Sequence, residues 1–320
     1  MILEHNLPTT PKGIHQVFRG IPRSRIALET GTHSPWVSRQ WTPLGHEVIV
    51  AHARNVRLIG ESSRKDDQLD ARTLARLARI DPSLLGPVHR RSAKAQMHLT
   101  VIRARAGLVS ARTALVNAAR GLTKSYGERL PKCGTGQMNR EIAKELNQEL
   151  RDALEPLLGE IESLNERIAE YDRRIEQIAK EVYPEVALLK QVKGVGTLIA
   201  LTYVLTLDDP QRFRRSQDAG CFLGLRPGRT LMVQGAHYIL GPFGQDSDLR
   251  RWGLKLAERG GKNAKKRAVV AVARKLAVLL HVGERRGLRT TAEQPQSGER
   301  SGLELDRNRR AQPPGSGDCD

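Results

Sequence analysis

A heptad stripe over residues 150–182 constrains the fold more than any other feature of this chain. Apolar residues recur there at alternating spacings of four and three, the pattern of a helix that buries one narrow seam. The stripe predicts a coiled-coil arm, which either joins two copies of the chain or folds back as an intramolecular hairpin. Pro156 lies inside the arm and should kink the helix or set its start. The stripe consists of Leu150, Leu154, Leu157, Ile161, Leu164, Ile168, Tyr171, Ile175, Ile178 and Val182.

A second long helix is predicted over residues 93–125. Apolar residues recur there every seven positions, at Val101, Leu108, Leu115 and Leu122, and basic residues lie elsewhere around the helix. Such a basic face is either simply solvated or contacts a nucleic acid.

The charge balance favours a polyanionic partner. The 320 residues include 53 lysines and arginines against 35 aspartates and glutamates, a formal net charge of +18. Nucleic acid is the first candidate partner, ahead of an anionic membrane. No apolar run reaches the ~18 residues of a transmembrane helix and the N-terminus has no signal core, so we expect a soluble, cytoplasmic protein without a membrane partner. Cys133, Cys221 and Cys319 are too far apart to indicate disulfides or a zinc site.

Residues 25–51 predict a small α/β unit. Residues 25–29 and 47–51 are short apolar strands, the second apolar enough for burial on both faces, and a short helix opens at Trp36 between them. Two strands are too few for a stable sheet alone. Residues 1–20, which include Pro8, Pro11 and Gly13, are expected to be irregular.

An acidic segment follows, and it opens a helix predicted over residues 67–80. The apolar side of that helix should hold Leu69, Leu74, Leu77 and Ile80. Asp67 and Asp70 are three residues apart and share a face, so they could hold a divalent cation near a phosphate. The alternative is an ordinary first turn, where aspartate is favoured.

The segment 189–200 is similar to a helix-hairpin-helix turn. Gly194 and Gly196 would let the backbone present N–H groups and a helix N-terminus to a phosphate, with Lys193 beside them. The alternative is a tight connection between two helices.

The C-terminal third carries the densest basic block, over residues 248–281. Ser216 and Ser247 have no sequence neighbour that would act as a base, so neither is predicted to be a nucleophile. Residues 282–320 contain no aromatic residue and are expected to be disordered. The predicted DNA-binding residues of the C-terminal part are Lys193, Gly194, Gly196, Arg214, Arg215, Arg250, Arg251, Lys265, Lys266 and Arg267.

Several of these segments together resemble the DEDD-type insertion-sequence transposases. They are residues 25–31, 45–50 and 64–75, together with Gly194-Val-Gly196 and Phe222-Leu-Gly-Leu-Arg-Pro227, and the resemblance covers about residues 21–281. These transposases are bridge-RNA-guided DNA recombinases. The resemblance implies an α/β, RNase H/RuvC-like N-terminal domain, a coiled coil that mediates oligomerisation and a mostly α-helical C-terminal domain. It also implies Mg²⁺, DNA and a guide RNA as cofactor and partners, and a C-terminal serine that attacks DNA.

Three residues match the acidic site of this family. Glu29 matches its strand-end glutamate, and Asp67 and Asp70 match its paired aspartates, so the resemblance implies that these three are catalytic metal ligands. Two other parts are not found. Residues 1–24 contain no Asp to serve as the first acidic residue, and the serine segment expected after Pro227 is missing.

We therefore predict an insertion-sequence transposase with impaired catalysis. The expected parts are an incomplete RuvC-like domain over residues 1–92, long helices and the coiled coil over 93–183, a helical DNA-binding domain over 184–281 and the tail over 282–320. Two alternatives stay open: a non-catalytic nucleic-acid-binding remnant, and a metal-dependent structure-specific nuclease. A histone-like binder is disfavoured, because it would need neither the acidic motif nor the arm.

Overall fold

The computed structural model describes residues 7–52, 67–223, 228–261 and 263–286. The chain first forms a small α/β unit. Strands β1 (Arg25–Glu29) and β2 (Glu47–Ala51) pair in parallel, with Arg25 opposite Glu47 and Glu29 opposite Ala51. Helix α2 (Ser34–Trp41) and a 3₁₀ turn (Thr42–Leu44) connect them. Both strands have the predicted bounds.

A helix, α1 (Pro11–Phe18), precedes the first strand, so the prediction of an irregular segment over residues 1–20 is wrong here. Pro11 lies in the first turn, where a missing N–H costs nothing, and the Thr10 hydroxyl accepts a hydrogen bond from the Gly13 N–H at 3.1 Å. Ile14 is buried against Val37 and Trp41 of α2. The helix thus covers part of the α/β unit.

Helix α3 (Asp67–Ile80) also has its predicted bounds, but only part of its predicted apolar side is buried. Leu74 and Ala78 pack on the sheet, whereas Leu69 is 41% exposed and Ile80 is 75% exposed. At 3.6 residues per turn, Leu69 and Ile80 lie about 120–140° around the helix from Leu74. They therefore point away from the sheet.

Two long helices form an antiparallel hairpin: α4 (Ala93–Ser125), with the predicted bounds, and α5 (Gln148–Val182). Arg105 contacts Asp172 at 2.5 Å, and Arg112 donates to Asn165 at 2.8 Å. His98, near the start of α4, shares a hydrogen bond of 2.9 Å with Tyr183, just after α5. As residue numbers rise on α4 they fall on α5, which fixes the antiparallel direction.

The heptad stripe is buried within the chain by this hairpin. Ile161, Leu164, Ile168 and Ile175 are at most 6% exposed. The intramolecular alternative is therefore the one observed, and an oligomer through residues 150–182 would have to use another face. Pro156 does not set the start of α5, which begins at Gln148 after an Asn147 cap.

The buried seam departs from the predicted stripe in register. Leu158 and Ala179 are buried, whereas Leu157 and Ile178 are only partly buried. A straight helix repeats every 3.6 residues rather than every 3.5, so a strict heptad pattern drifts around it.

The remaining helices form one core with the start of α4 and the end of α5. At its centre, Leu201, Leu205 and Leu207 are 0% exposed, and Leu99 and Ile102 of α4 pack into the same core. These helices are α6 (Glu185–Leu189), α7 (Thr197–Leu207), α8 (Ser216–Leu223), α9 (Gly228–Leu240), α10 (Asp248–Glu258) and α11 (Ala264–Arg286).

Helix α11 continues to Arg286, beyond the helical region predicted over residues 248–281. The rest of the predicted disordered tail, residues 287–320, is outside the described part of the chain. Within the ranges given above, no helix is both long and apolar enough to cross a lipid bilayer. The part of the chain that the structure describes is mostly helical and contains one two-stranded parallel sheet.

Candidate functional site

The predicted acidic residues lie at the carboxyl end of the small sheet. Glu29 is the last residue of β1 and is exposed, and Asp70, in the first turn of α3, is exposed as well. Asp67 begins α3, but its side chain is outside the described part of the structure. The question is whether Glu29 and Asp70 face the same end of the unit.

The contact between β1 and α3 answers this question. Arg25, at the start of β1, donates from Nη1 to the carbonyl oxygen of Ala78 in the last turn of α3 at 2.9 Å. Ala27, two residues further along β1, packs in the same apolar cluster as Leu74, one turn back along α3, so the two elements run in opposite directions. Glu29 lies about 13 Å further along the strand, and Asp70 lies about 12 Å back along the helix. The carboxylates of Glu29 and Asp70 therefore belong to the same end of the α/β unit.

The donor set at this end suits a hard divalent cation only in part. Carboxylate oxygens are the ligands that Mg²⁺ prefers, and Glu29 and Asp70 supply two. Among the described residues, no group of three or more His, Cys, Asp or Glu side chains is placed to hold a metal ion. The third predicted ligand, Asp67, is not tested.

A cleft of about 470 Å³ opens next to Glu29, at the carboxyl ends of both strands. In open α/β sheets this edge is where ligands bind. Residues 88–91 form one wall. The segment is held beside β2 because His52 N–H donates to Leu85 O at 2.9 Å and Val88 N–H donates to Val50 O at 2.8 Å. The lining residues are Thr30, Gly31, Thr32, Ser34, Pro35, Val50, His52, Val88, His89, Arg90, Arg91, Gln96, Leu99 and Arg103.

The cleft is lined by basic, polar and apolar side chains. Arg90 donates to Val48 O at 2.9 Å, and burial, followed by the nearby charge of Arg39, lowers the pKa of its guanidinium. Arg39 in turn donates to Gln96 Oε1 at 2.6 Å. Ser34, 6% exposed, holds the Gly31 carbonyl at 2.9 Å and starts α2 at the edge of the cleft. The neighbouring positive charges of Arg39 and Arg90 repel each other, and a bound anion would relieve this repulsion.

Sequence reasoning missed this cleft. Its basic residues come from separate parts of the chain, and no one of those parts forms a motif. The run His89-Arg90-Arg91, directly after the Gly86-Pro87 turn, is the signal that could have been followed, because a turn beside a strand end is where binding residues concentrate.

The predicted helix-hairpin-helix turn connects α6 and α7, and its glycines differ in their surroundings. Gly194 has φ of +87°, and a Cβ there would lie 2.7 Å from Ile239 Cγ1. Gly196 has an ordinary φ of −88° and open space around it. Lys193 is exposed and donates from Nζ to the Asp246 carbonyl at 3.1 Å. The close packing of Gly194 on α9 is therefore enough to explain why this position is a glycine.

Two of the predicted DNA-binding arginines have their guanidinium groups occupied. Arg250 donates to the carbonyls of Ile239 and, at 2.6 Å, Gly241 at the end of α9, where the last carbonyls of a helix have no partner within the helix. Arg251 pairs with the carboxylates of Asp246 and Asp248, which raise the pKa of its guanidinium. Arg250 thus caps a helix, and Arg251 is already matched by acidic groups.

The other basic residues that were predicted to bind DNA are exposed. Arg214 and Arg215 precede α8, and Lys265, Lys266 and Arg267 lie in the first turn of α11. The first turn of α11 contains no acidic residue that would offset these positive charges. Positive side chains at the positive end of a helix dipole repel it, and a phosphate relieves this repulsion.

The two serines considered in the sequence have structural partners. Ser216 Oγ lies 3.0 Å from Nδ1 of His281, whose Nε2 donates to Pro210 O at 3.0 Å and whose ring is 0% exposed. Because Nε2 is the donor, Nδ1 accepts from the serine hydroxyl. Ser247 caps α10 by accepting from the Arg250 N–H at 3.2 Å. The first contact ties α8 to α11, and the second caps α10.

An acidic strand end beside a basic cleft is typical of proteins that act on phosphodiesters. Two family models match the chain at these places. Residues 12–127 match the DEDD transposase model of the IS110 type, and residues 186–230 match the one described as "Transposase IS116/IS110/IS902 family". The first match contains Glu29, Asp67, Asp70 and every lining residue of the cleft.

Two curated proteins show the same relationship. The transposase for insertion sequence element IS1111A of Coxiella burnetii is 28% identical over 247 residues, which cover 68% of this chain and 66% of the relative. A "Probable family 20 transposase" of Pseudomonas aeruginosa is 26% identical over 296 residues, covering 83% of this chain and 86% of the relative. The chain therefore belongs to this family of insertion-sequence transposases.

Proposed function

We propose that this chain is a DNA transposase polypeptide that holds Mg²⁺ at the carboxyl end of β1. The placement of Glu29 and Asp70 at one end of the α/β unit is the observation that supports this proposal. Asp67 would be the third ligand. When bound, the cation would polarise a phosphodiester oxygen of DNA.

The α/β unit is proposed to be RuvC-like, over residues 1–92. Its support is the parallel β1–β2 pair with carboxylates at one end, the arrangement that the family resemblance implies. Residues 93–183 are proposed as the long-helix part and residues 184–281, extended to Arg286, as the DNA-binding part. A guide RNA and a homo-oligomer remain proposals from the family resemblance.

The exposed basic residues are proposed to bind the DNA backbone. Lys265, Lys266 and Arg267 in the first turn of α11 carry the larger share, with Arg214 and Arg215 beside α8. Arg250 contributes indirectly, because its guanidinium fixes the end of α9. Backbone contacts of this kind are sequence-independent and weaken with salt.

Strand transfer is proposed to be impaired. The described residues before β1 form α1 and a turn, without an aspartate, and Ser216 and Ser247 are engaged in contacts between and at the ends of helices. Three carboxylates make a poorer metal clamp than four.

A strand-transfer assay tests this proposal. Purified chain would be incubated with Mg²⁺ and DNA that carries the insertion-sequence ends, with EDTA as the control. We expect salt-sensitive DNA binding and weak or undetectable joining. Efficient joining that survives Asp70→Asn would contradict the assignment of the acidic site, and DNA binding that is independent of salt would contradict the basic contacts.

A further inference from the structure

The basic cleft continues into a second cavity along α4. This second cavity, of about 390 Å³, lies between α4, α7 and α9. The two share Arg91, Leu99 and Arg103 as lining residues, so they form one path, here called the groove. It starts at Thr30, one residue after Glu29, and reaches Gln234 of α9.

The positive charge of the groove is concentrated in the first cavity and on the wall that the two cavities share. Its lining residues include Arg90, Arg91 and Arg103 and no aspartate or glutamate. The second cavity adds Arg105, whose charge is matched by Asp172 at 2.5 Å. Arg103 is exposed on the wall that both cavities share. A path with one sign of charge and low-dielectric walls concentrates anions.

The lining chemistry favours a nucleic-acid backbone over stacked bases. None of the lining residues given for the two cavities is Phe, Tyr or Trp, the side chains on which single-stranded bases usually stack. Each cavity has the volume of a small-molecule pocket, a size that suits one strand better than a duplex.

The geometry points to a binding site for one strand of DNA in this groove. Its phosphates would contact Arg103 and Arg91, and the strand would lead from the carboxyl end of β1 towards α7 and α9. The assignment of DNA as the occupant rests on the transposase function proposed above. The binding itself requires neither the metal nor strand transfer.

Charge reversal at Arg103 is the direct test. Arg103→Glu reverses a charge on the wall that the two cavities share. The control, Lys124→Glu, makes the same charge change at an exposed position at the far end of α4, outside the groove. The probes are a fluorescent oligo-dT of about 12 nucleotides and a duplex of mixed sequence, titrated between about 50 and 200 mM salt. Thermal melting confirms that both variants fold.

We expect Arg103→Glu to weaken oligo-dT binding about tenfold or more and to reduce its salt slope by about 0.7 per lost contact. Lys124→Glu should stay within about twofold of wild type, since a distant exposed charge is screened. Duplex affinity should change less than oligo-dT affinity for Arg103→Glu.

Two outcomes would overturn the groove as a DNA site. One is equal oligo-dT affinity for the Arg103 and Lys124 variants. The other is tighter, Arg103-dependent binding of the matching oligo-U, which would make RNA the occupant. If the wild type binds neither oligo-dT nor the duplex, the proposed DNA transposase function fails together with the groove. If the wild type still binds the duplex, only the assignment of the groove fails.

Cross-linking tests the continuity of the path. A photoreactive residue at Ser110, which is exposed and lines only the second cavity, should capture oligo-dT, and this capture should be lost with Arg103→Glu. The same residue at Ser125, at the far end of α4, is the control. Equal capture from the two positions would overturn the path.

Discussion

Arg25 Nη1 donates a hydrogen bond to the carbonyl oxygen of Ala78 at 2.9 Å, and this contact joins the start of β1 to the last turn of α3. The same guanidinium contacts Glu47 through Nε at 2.9 Å. Because α3 carries Asp70 and β1 carries Glu29, Arg25 sets the relative position of the two carboxylates from the opposite end of the unit.

Removing this contact should loosen α3. Arg25→Ala is expected to lower the free energy of unfolding by about 1–2 kcal/mol, the cost of a charge-assisted hydrogen bond and a partly exposed ion pair. Urea denaturation measures it. Arg76→Ala, on the exposed side of α3, is the matched control and should cost about 0.5 kcal/mol or less. Equal losses for the two variants would show that Arg25 does not hold the helix.

The proposed metal site predicts a ligand-dependent stabilisation. Millimolar Mg²⁺ should raise the melting temperature of the wild type, because a cation that binds only the folded state stabilises it by mass action. Glu29→Gln, Asp70→Asn and Asp67→Asn should each reduce this increase.

Glu47→Gln serves as the control for the metal experiment. Glu47 is a carboxylate at the opposite end of the sheet, so its loss should change the melting temperature but not its response to Mg²⁺. A response that all four variants keep would place the cation elsewhere.

The bounds of four elements in the N-terminal half could be predicted, whereas α1 and the packing partners of the elements could not. β1, β2, α3 and α4 end where the sequence pattern changes, since each has a strong apolar period. The sequence could not identify which segment packs on the heptad stripe, because an apolar seam specifies only that another apolar surface covers it. Here α4 carries a seam of its own and covers it.

The candidate site residues were chosen in two ways. Asp67 and Asp70 could be chosen from their spacing on one helix face, and Glu29 from the resemblance to the transposase family. Arg250 and Lys266 look alike in sequence, yet one caps a helix and the other is exposed. Only the distance from a guanidinium to the end of α9 separates these roles, and that distance depends on tertiary structure.

The two glycines of the turn should respond differently to a methyl group. Gly194→Ala forces an alanine to φ of +87° and drives its Cβ to 2.7 Å from Ile239, so we expect a loss of about 2–3 kcal/mol in unfolding free energy. Gly196→Ala has open space and an ordinary φ, and should cost less than about 1 kcal/mol.

DNA affinity separates packing from phosphate contact at this turn. If the turn binds the backbone through its N–H groups, Gly196→Ala should leave affinity nearly unchanged, since alanine keeps the N–H. A folded Gly196→Ala protein that loses binding would mean that DNA approaches too closely for a methyl group.

The basic residues of the C-terminal part should separate into two groups. Arg250→Ala leaves the Gly241 and Ile239 carbonyls without their charged donor and should cost about 1.5–3 kcal/mol of stability, with an unchanged salt slope for DNA binding. Lys266→Ala should leave stability within about 0.5 kcal/mol and reduce the salt slope by about 1. Denaturation and salt-dependent titrations on the same two proteins check this, and a reversed pattern would exchange the two roles.

Glu284 should make stability depend on pH. Burial, then the charges of Glu185 and Asp209, raises the pKa of this carboxyl from 4.5 to about 7. The folded protein therefore keeps a proton that the unfolded chain loses as pH rises above the unfolded pKa. The stability that Glu284 contributes is fully present below the pKa of the unfolded chain, and it is lost as pH rises through the pKa of the folded protein.

The variant Glu284→Gln tests the sign of this effect. A neutral amide cannot ionise, so the stability of the wild type relative to Glu284→Gln should fall by about 1–3 kcal/mol between about pH 5 and about pH 8. Glu181→Gln, at an exposed position near the end of α5, should show no such change between the two pH values. Denaturant unfolding at both pH values gives the result, and a difference that is constant with pH would mean that Glu284 is already ionised in the folded protein at pH 5.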